Sequence, residues 1–299
     1  MEILITGSHG FVGSALVPAL ANAGHTVIRM IRPPMKPDEK EILWDSQAGH
    51  IEKDKLEGFD AVVHLAGENI STGRWTVEKK ARIRDSRVKG TRLLAETLAG
   101  LKHKPKILAS ASAIGFYGSR GTEVMNEKSS PGSGFLAETC VEWEAAAEPA
   151  REAGINVVHL RFGIILSPKG GALAKMLLPF KLGVGGKIGS GFQYMSWVSI
   201  TDVVGAVMHV LKRKELSGPI NIVSQQPVTN LEFTKALGKV LSRPTVLPLP
   251  AFAARFALGE MADELLLSST CVIPSRLIRS GFTFKHNNIE EALQNMLGG

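Results

Sequence analysis

Only two tyrosines and two cysteines occur in this chain of 299 residues, and 28 acidic side chains face 35 lysines and arginines. The cysteines, Cys140 and Cys271, stand far apart and form no metal or redox motif. That argues against a disulfide framework or a cysteine-built metal site and suits a reducing compartment; no metal is expected. No uncharged apolar run reaches the length of a membrane span, so no membrane partner is expected. The opening MEILITGSHGF enters a strand without a charged leader, apolar core or cleavage site, which points to the cytoplasm. Basic residues concentrate in RWTVEKKARIRDSRVKGTR (74–92) but lack interleaved aromatics, and no helix-turn-helix, zinc or RNA-binding signature accompanies them. Nucleic acid is therefore not an expected partner. The cluster is either a solvated helix face or a field that draws in an anionic ligand.

What the chain does have is a core. Apolar residues make up 44% and charged ones 21%, enough for one large α/β domain or a main domain with a smaller cap. Strand-like runs recur at EILIT (2–6), HTVIRMIR (25–32), DAVVHLAG (60–67), KILASAS (106–112), INVVHLRFGIIL (155–166) and PINIVS (219–224). Helical patterns such as SALVPALANAG (14–24) separate them, and this grammar describes βαβ units around a parallel sheet. The expected fold is a Rossmann-type, doubly wound parallel sheet with a smaller C-terminal substrate lobe. Residues 1–166 would form mainly the dinucleotide-binding domain and 167–299 mainly the lobe, with sheet elements near 196–224 returning to the main domain. The stretch 167–191 reads as glycine-rich loop, and RPTVLPLPAF (243–252) as a proline-rich one.

TGSHGFVG (6–13) places Gly7, Gly10 and Gly13 between the first strand and a helix. Gly7 permits the tight turn, Gly10 lets the backbone approach a pyrophosphate, and Gly13 allows close helix–strand packing. Phe11 and Val12 open the helix whose N-terminal N–H groups would meet the phosphates. An NAD site usually carries an acid after the second strand; here VIRMIRPP offers Arg32, with no carboxylate until Asp38. An arginine there suits a ribose 2′-phosphate, so the expected cofactor is NADP(H). Ala66 and Gly67, closing the strand DAVVHLAG, leave its backbone open to the nucleotide.

Together, TGxxGxxG, HLAG, SASAIGFYG (110–118) and SWVSITDVVGAV (196–207) resemble the short-chain dehydrogenase/reductase superfamily in its extended, epimerase-like branch. AGENI (66–70), RW (74–75), FLAETCVEWEAAA (135–147) and VIPSRLIRSGFTF (272–284) are similar to one NADP-dependent subfamily of about this length, sometimes called cell-division inhibitors, whose substrate is not established. That resemblance implies cofactor contacts from the Gly7–Gly13 loop, Arg32, Leu65, Ala66, Arg87 and Arg161, and a superfamily habit of pairing into homo-oligomers.

The superfamily's chemistry uses a serine with a tyrosine and a lysine four residues apart on one helix. Ser112, with Ser110 beside it, suits the serine role, but Phe135 and Thr139 stand where the tyrosine and lysine belong. Neither can replace them, since phenylalanine moves no proton and threonine carries no charge. Tyr117 and Glu138 are then the candidate acid–base groups. Glu68, Asn69, Arg74, Trp75, Gln193 and Trp197 are the candidates on the side of an unidentified small-molecule substrate. The reading taken is an oxidoreductase; the alternative is a protein that binds NADP(H) and reports its redox state without turnover.

Overall fold

The computed structural model describes residues 1–32 and 41–298; Asp38 and its neighbours in the expected VIRMIRPP turn beyond Arg32 lie outside them. The main sheet comprises β1 (Glu2–Thr6), β2 (Thr26–Ile31), β3 (Glu41–Asp45), β4 (His50–Ile51), β5 (Ala61–His64), β6 (Ile107–Ala113), β8 (Asn156–Phe162) and β12 (Gly218–Ile222). Its strand order is β12-β8-β6-β5-β1-β2-β3-β4, with every pair parallel except β3 with β4. Short pairs complete the β structure: β7 (Val124–Met125) with β14 (Cys271–Val272), β9 (Ile164–Ser167) with β11 (Trp197–Ser199), and β10 (Tyr194–Met195) with β13 (Val228–Thr229).

Strand alternation divides the core in two. Ile3, Ile5, Val63 and Ala109 face Leu16 and Leu20 of α1 (Phe11–Asn22) and Val203 and Val207 of α6 (Ile200–Lys212). Leu4, Val62 and Leu108 face the opposite layer, made by α2 (Val77–Ala99), α3 (Phe135–Ala145) and α4 (Glu148–Glu152). The smaller lobe gathers α5 (Gly171–Lys181), α7 (Asn230–Leu241), α8 (Ala251–Leu258) and α10 (Ile289–Leu297), while α9 (Ser275–Arg279) packs Leu277 into the main core beside β12. The lobe's own core joins Leu173, Phe180, Trp197, Phe233, Leu237 and Leu293.

Three elements depart from the sequence reading. INVVHLRFGIIL breaks into β8 and β9 at Gly163, where a Cβ would stand 2.5 Å from the Ser196 carbonyl oxygen and 2.7 Å from Val223. The chain bends there, and β9 leaves the main sheet for β11. The glycine-rich 167–191 contains a full helix, α5, and EILWD (41–45) is a strand. Among the described residues no helix is long and apolar enough to cross a membrane.

Candidate functional site

β1 leads into the turn at Gly7, and the crevice opens between β1 and β5, where connections leave in opposite directions. Gly7 has φ +69°, and a Cβ on it would lie 2.7 Å from the Leu65 carbonyl carbon and 2.8 Å from the Ala66 nitrogen. A Cβ on Gly13 would lie 2.3 Å from the Gly7 carbonyl oxygen. Both glycines are therefore required by backbone contact alone. Gly10 is the N-cap of α1 and provides no side-chain cap, and the first turn holds no acid. Its leading N–H groups and the positive end of the helix dipole thus face the crevice without a side-chain partner. Ser8 adds a buried hydroxyl with no hydrogen-bond partner among the described residues. Phe11 turns the other way: its ring fills the space beside Gly170 and Gly171, ahead of α5. Val12 packs against the core layer shared by α1 and α6.

The floor beneath this loop is a buried polar chain. The Thr6 hydroxyl accepts from the Leu65 and Ala66 N–H groups, both at 3.2 Å, and lies 2.7 Å from His64 Nδ1. With its acceptor capacity taken, Thr6 donates to Nδ1. His64 is therefore the neutral tautomer whose Nε2–H donates to Thr91 Oγ1 at 3.0 Å, a hydroxyl that also accepts from Trp143 Nε1 at 2.9 Å. Burial pushes the His64 pKa down to about 4. Leu65 and Ala66 are half-buried at the end of β5, and Gly67 is exposed.

Two arginines border the crevice. Arg32, exposed at the end of β2, makes no ion pair among the described residues, and its charge helps lower the pKa values of Asp45 and Glu68. Arg87 reaches from α2 to lie 3.4 Å from where a Cβ on Gly67 would be. Its guanidinium donates to two carbonyls, Glu68 and Ile83, both at 3.0 Å, and stacks on Trp143 at 5.0 Å. Burial lowers its pKa, with the Glu68 charge opposing. A cation in a desolvated place whose hydrogen bonds to the described residues go to carbonyls is suited to receive an anion.

Behind the crevice, Ser112, Tyr117 and Arg161 come together, but in the interior. Arg161 is 3% exposed. Its Nε and one terminal nitrogen each donate to Glu144 at 2.7 Å, the other donates to the Tyr117 hydroxyl at 2.9 Å, and the plane lies 3.5 Å over Phe116. Ser112 donates to Glu144 at 2.7 Å, and Tyr117 donates to Asn221 at 2.7 Å. Burial would raise the Glu144 pKa, yet the hydrogen bonds and charge of Arg161 hold it below the usual carboxylate value. Tyr117 is 0% exposed and its hydroxyl is engaged on both sides, with burial raising its pKa. The expectation of a loop tyrosine offering a proton is corrected here, as is that of an Arg161 free to grip a cofactor. Ser110, also buried, occupies β6 between His64 and His159 in register.

Phe135 and Thr139 have become packing positions. Phe135 makes an edge contact with Trp75 at 5.3 Å, lies under Lys80 Nζ at 4.8 Å, and joins Ile70, Leu136, Leu258, Met261 and Leu265 in an apolar cluster between the lobes. Thr139 is buried, its hydroxyl without a partner among the described residues. Glu138 is exposed on the outer side of α3, which removes it from an enclosed acid–base role.

Most substrate-side candidates serve the seam between lobes instead. Arg74 donates to the Ala257 carbonyl at 3.3 Å and to that of Phe256, tying the 68–76 loop to α8. Trp75 is 9% exposed and donates to the Ile70 carbonyl at 2.8 Å. Glu68 is paired with Lys79 at 2.6 Å, and Asn69 accepts from the Ser71 N–H and hydroxyl in a local turn. Gln193 and Trp197 are corrections: both are buried, Gln193 donating to the Ile188 and Leu266 carbonyls and Trp197 to that of Gln226. Sequence reading also missed Glu264. From the small lobe its carboxylate comes up to the first turn of α3, where the Phe135 and Leu136 N–H groups favour its charged form, while burial raises its pKa. It lies close enough to Gly134 that a Cβ there would stand 2.6 Å from Oε1.

Much of the 74–92 charge is neutralised locally. Lys80 pairs with Glu260 at 2.8 Å, Arg84 with Glu142, and Lys89 with Asp85 at 2.7 Å. The cluster is largely a paired face, with Arg87 the member turned to the crevice.

A glycine-cradled, uncapped helix at the switch point of a parallel sheet defines a Rossmann-type nucleotide-binding protein. The chain belongs to the NAD dependent epimerase/dehydratase family, whose model matches residues 3–223, and residues 249–296 match a domain of unknown function, DUF1731. It is 45% identical to epimerase family protein Mb2239 of Mycobacterium bovis over 97% of this chain and 96% of that one. A crystal structure of the human epimerase family protein SDR39U1 with NADPH superposes with TM-score 0.91 at 32% identity, covering 100% of both chains. A nucleoside-diphosphate sugar epimerase structure from Corynebacterium glutamicum gives TM-score 0.81 at 35% identity, covering 100% of this chain and 58% of that one. The residues present here fit a dinucleotide: the Gly7–Gly13 cradle, the uncapped α1 and the orphan Ser8 hydroxyl are features a bound phosphate would complete.

Proposed function

We propose that this protein is an NADP(H)-dependent oxidoreductase of the epimerase family acting on a small molecule. The observation that carries the cofactor choice is Arg32, an exposed cation without an ion pair among the described residues, at the end of β2 where an NAD site would hold an acid. The NADPH present in the human relative's structure supports the same choice. When bound, the cofactor supplies or accepts a hydride. The chain's own residues divide the remaining work. The α1 N-terminus, with Gly7 and Gly10, receives the pyrophosphate; Arg32 receives the 2′-phosphate; and Ala66, Gly67 and Arg87 border the nucleotide. Arg161 and Glu144 act one layer deeper. Their ion pair fixes Ser112, whose oxygen retains acceptor capacity while its proton is directed to Glu144. With Phe135 in an apolar seam and Thr139 buried and uncharged, the usual proton relay is absent, so the proton accompanying hydride transfer would come from water or from the substrate.

A second reading is favoured by that same seam. A chain whose relay position is committed to lobe packing is suited to binding NADP(H) and reporting its redox state through the α8 contacts. Protein-dependent oxidation of NADPH in a small-molecule extract distinguishes the two, since a reporter would leave the absorbance unchanged. The cofactor assignment is tested by Arg32→Asp, which is expected to weaken NADPH binding about tenfold or more while leaving NADH within about twofold. Equal losses for both would refute the 2′-phosphate role.

A further inference from the structure

We propose a second anion site, separate from the nucleotide crevice, that takes a small multiply charged phosphate such as inorganic diphosphate. It is an open surface pocket of about 330 Å³ lined by Arg213, Glu215, Leu216, Arg276, Arg279 and Ser280. It sits where β12 begins, whereas the Gly7 turn lies where β1 ends. In a parallel sheet those are opposite ends, so one ligand does not span both.

Three guanidinium groups meet there. Arg276 is held in position by one nitrogen, which donates to the Ser217 carbonyl at 2.5 Å and the Pro219 carbonyl at 2.8 Å, while its backbone N–H donates to Glu127. Nε and the second terminal nitrogen have no hydrogen bond to a described residue. Arg279 follows one turn later on the same short helix and is exposed. Arg213 comes from the end of α6, and Glu215, the sole carboxylate lining the pocket, lies 3.5 Å from it.

Three guanidinium groups face Glu215 at the lining and Glu127 behind Arg276, which leaves positive charge in excess and the Arg276 and Arg279 cations in mutual repulsion. Burial lowers the Arg276 pKa, and the Arg279 charge lowers it further against the opposing pull of Glu127. A ligand carrying multiple negative charges and several acceptor oxygens removes that repulsion and matches the planar donor forks. Ser280 donates to the Leu277 carbonyl at 2.8 Å and lies 2.9 Å from His209 Nε2, which fixes the pocket's far wall. None of these groups belongs to the cofactor machinery.

The test is calorimetric titration of inorganic diphosphate into protein kept saturated with NADPH at constant ionic strength, repeated without NADPH. The proposal expects saturable binding near one per chain with NADPH bound, and at least that without it, where the crevice is also open; the binding seen with NADPH is weakened about tenfold or more by Arg279→Glu and again by Arg213→Glu. Unliganded melting temperatures of both exposed-site variants should stay close to the parent's. Absence of saturable binding, equal affinity in parent and variants, or displacement by chloride at matched ionic strength would overturn it. Binding seen only without NADPH would also overturn it, because the diphosphate would then occupy the crevice.

Discussion

His64 gives the fold a pH dependence that can be worked out in advance. Its ring is fully enclosed between Thr6 and Thr91, neutral, with Nδ1 accepting and Nε2 donating. Protonating Nδ1 would set a donor against the Thr6 hydroxyl, whose oxygen already accepts from the Leu65 and Ala66 N–H groups. In the folded protein the ring therefore stays neutral until pH about 4, against 6.5 when unfolded. At about 1.4 kcal/mol for each tenfold change in proton affinity, the full difference is about 3 kcal/mol. The sign follows from proton counting: between these two values the unfolded chain binds the extra proton. The stabilisation is complete above 6.5 and is lost as pH falls towards 4. By pH 5 about 2 kcal/mol should be gone. Urea unfolding at pH 7.5, 6 and 5, on the parent and on His64→Gln, isolates this share, since glutamine keeps a donor and an acceptor without titrating. The stability gap between parent and variant should narrow by about 2 kcal/mol from pH 7.5 to pH 5. Parallel pH curves would refute the buried neutral ring.

Glu144→Ala leaves Arg161 buried without its carboxylate and should cost about 3–5 kcal/mol by chemical denaturation, whereas removing both charges with Glu144→Leu and Arg161→Met should restore most of it. A single variant as stable as the parent would deny the pair its structural role. For Glu264 the sign is opposite to that for His64, because burial and the nearby Glu260 raise its pKa in the folded protein. Its contribution is largest at or below the ordinary carboxylate value and declines as pH rises through the raised one. The stability difference between parent and Glu264→Gln should therefore be greater at pH 4 than at pH 7, and a constant difference in urea midpoints would contradict the upward shift that burial and Glu260 impose.

The nucleotide loop was legible because its constraints are local. Gly7, Gly10 and Gly13 follow a strand and precede a helix, and the contact that requires Gly13 lies within the turn, while that of Gly7 is with the end of β5, the neighbour of β1 in the sheet. Most of the alternating strands were legible from hydrophobic runs; β3 was not, and the split at Gly163 depends on the distant Ser196 and Val223. Site residues were harder to read because burial is a property of partners remote in sequence. Trp197 and Gln193 look like cleft residues until their carbonyl partners, Gln226 and Leu266, are placed. Glu144 is one of three acids on α3 and drew no reading, because Arg161, which gives it its role, arrives on a later strand. Glu264 comes from the far lobe to the first turn of α3, and no pattern near Gly134 announces it. The missing tyrosine and lysine were visible in sequence, but that Phe135 had joined a seam with Trp75 and Met261 required the packing.

The most direct test of the central claim is equilibrium binding of NADPH and of NADH to the unmodified protein, followed by the fluorescence of the reduced nicotinamide. The account predicts saturable binding of NADPH, at least about tenfold tighter than NADH, through the 2′-phosphate on Arg32. Equal affinities would contradict the Arg32 assignment, and no binding of either would contradict the crevice itself.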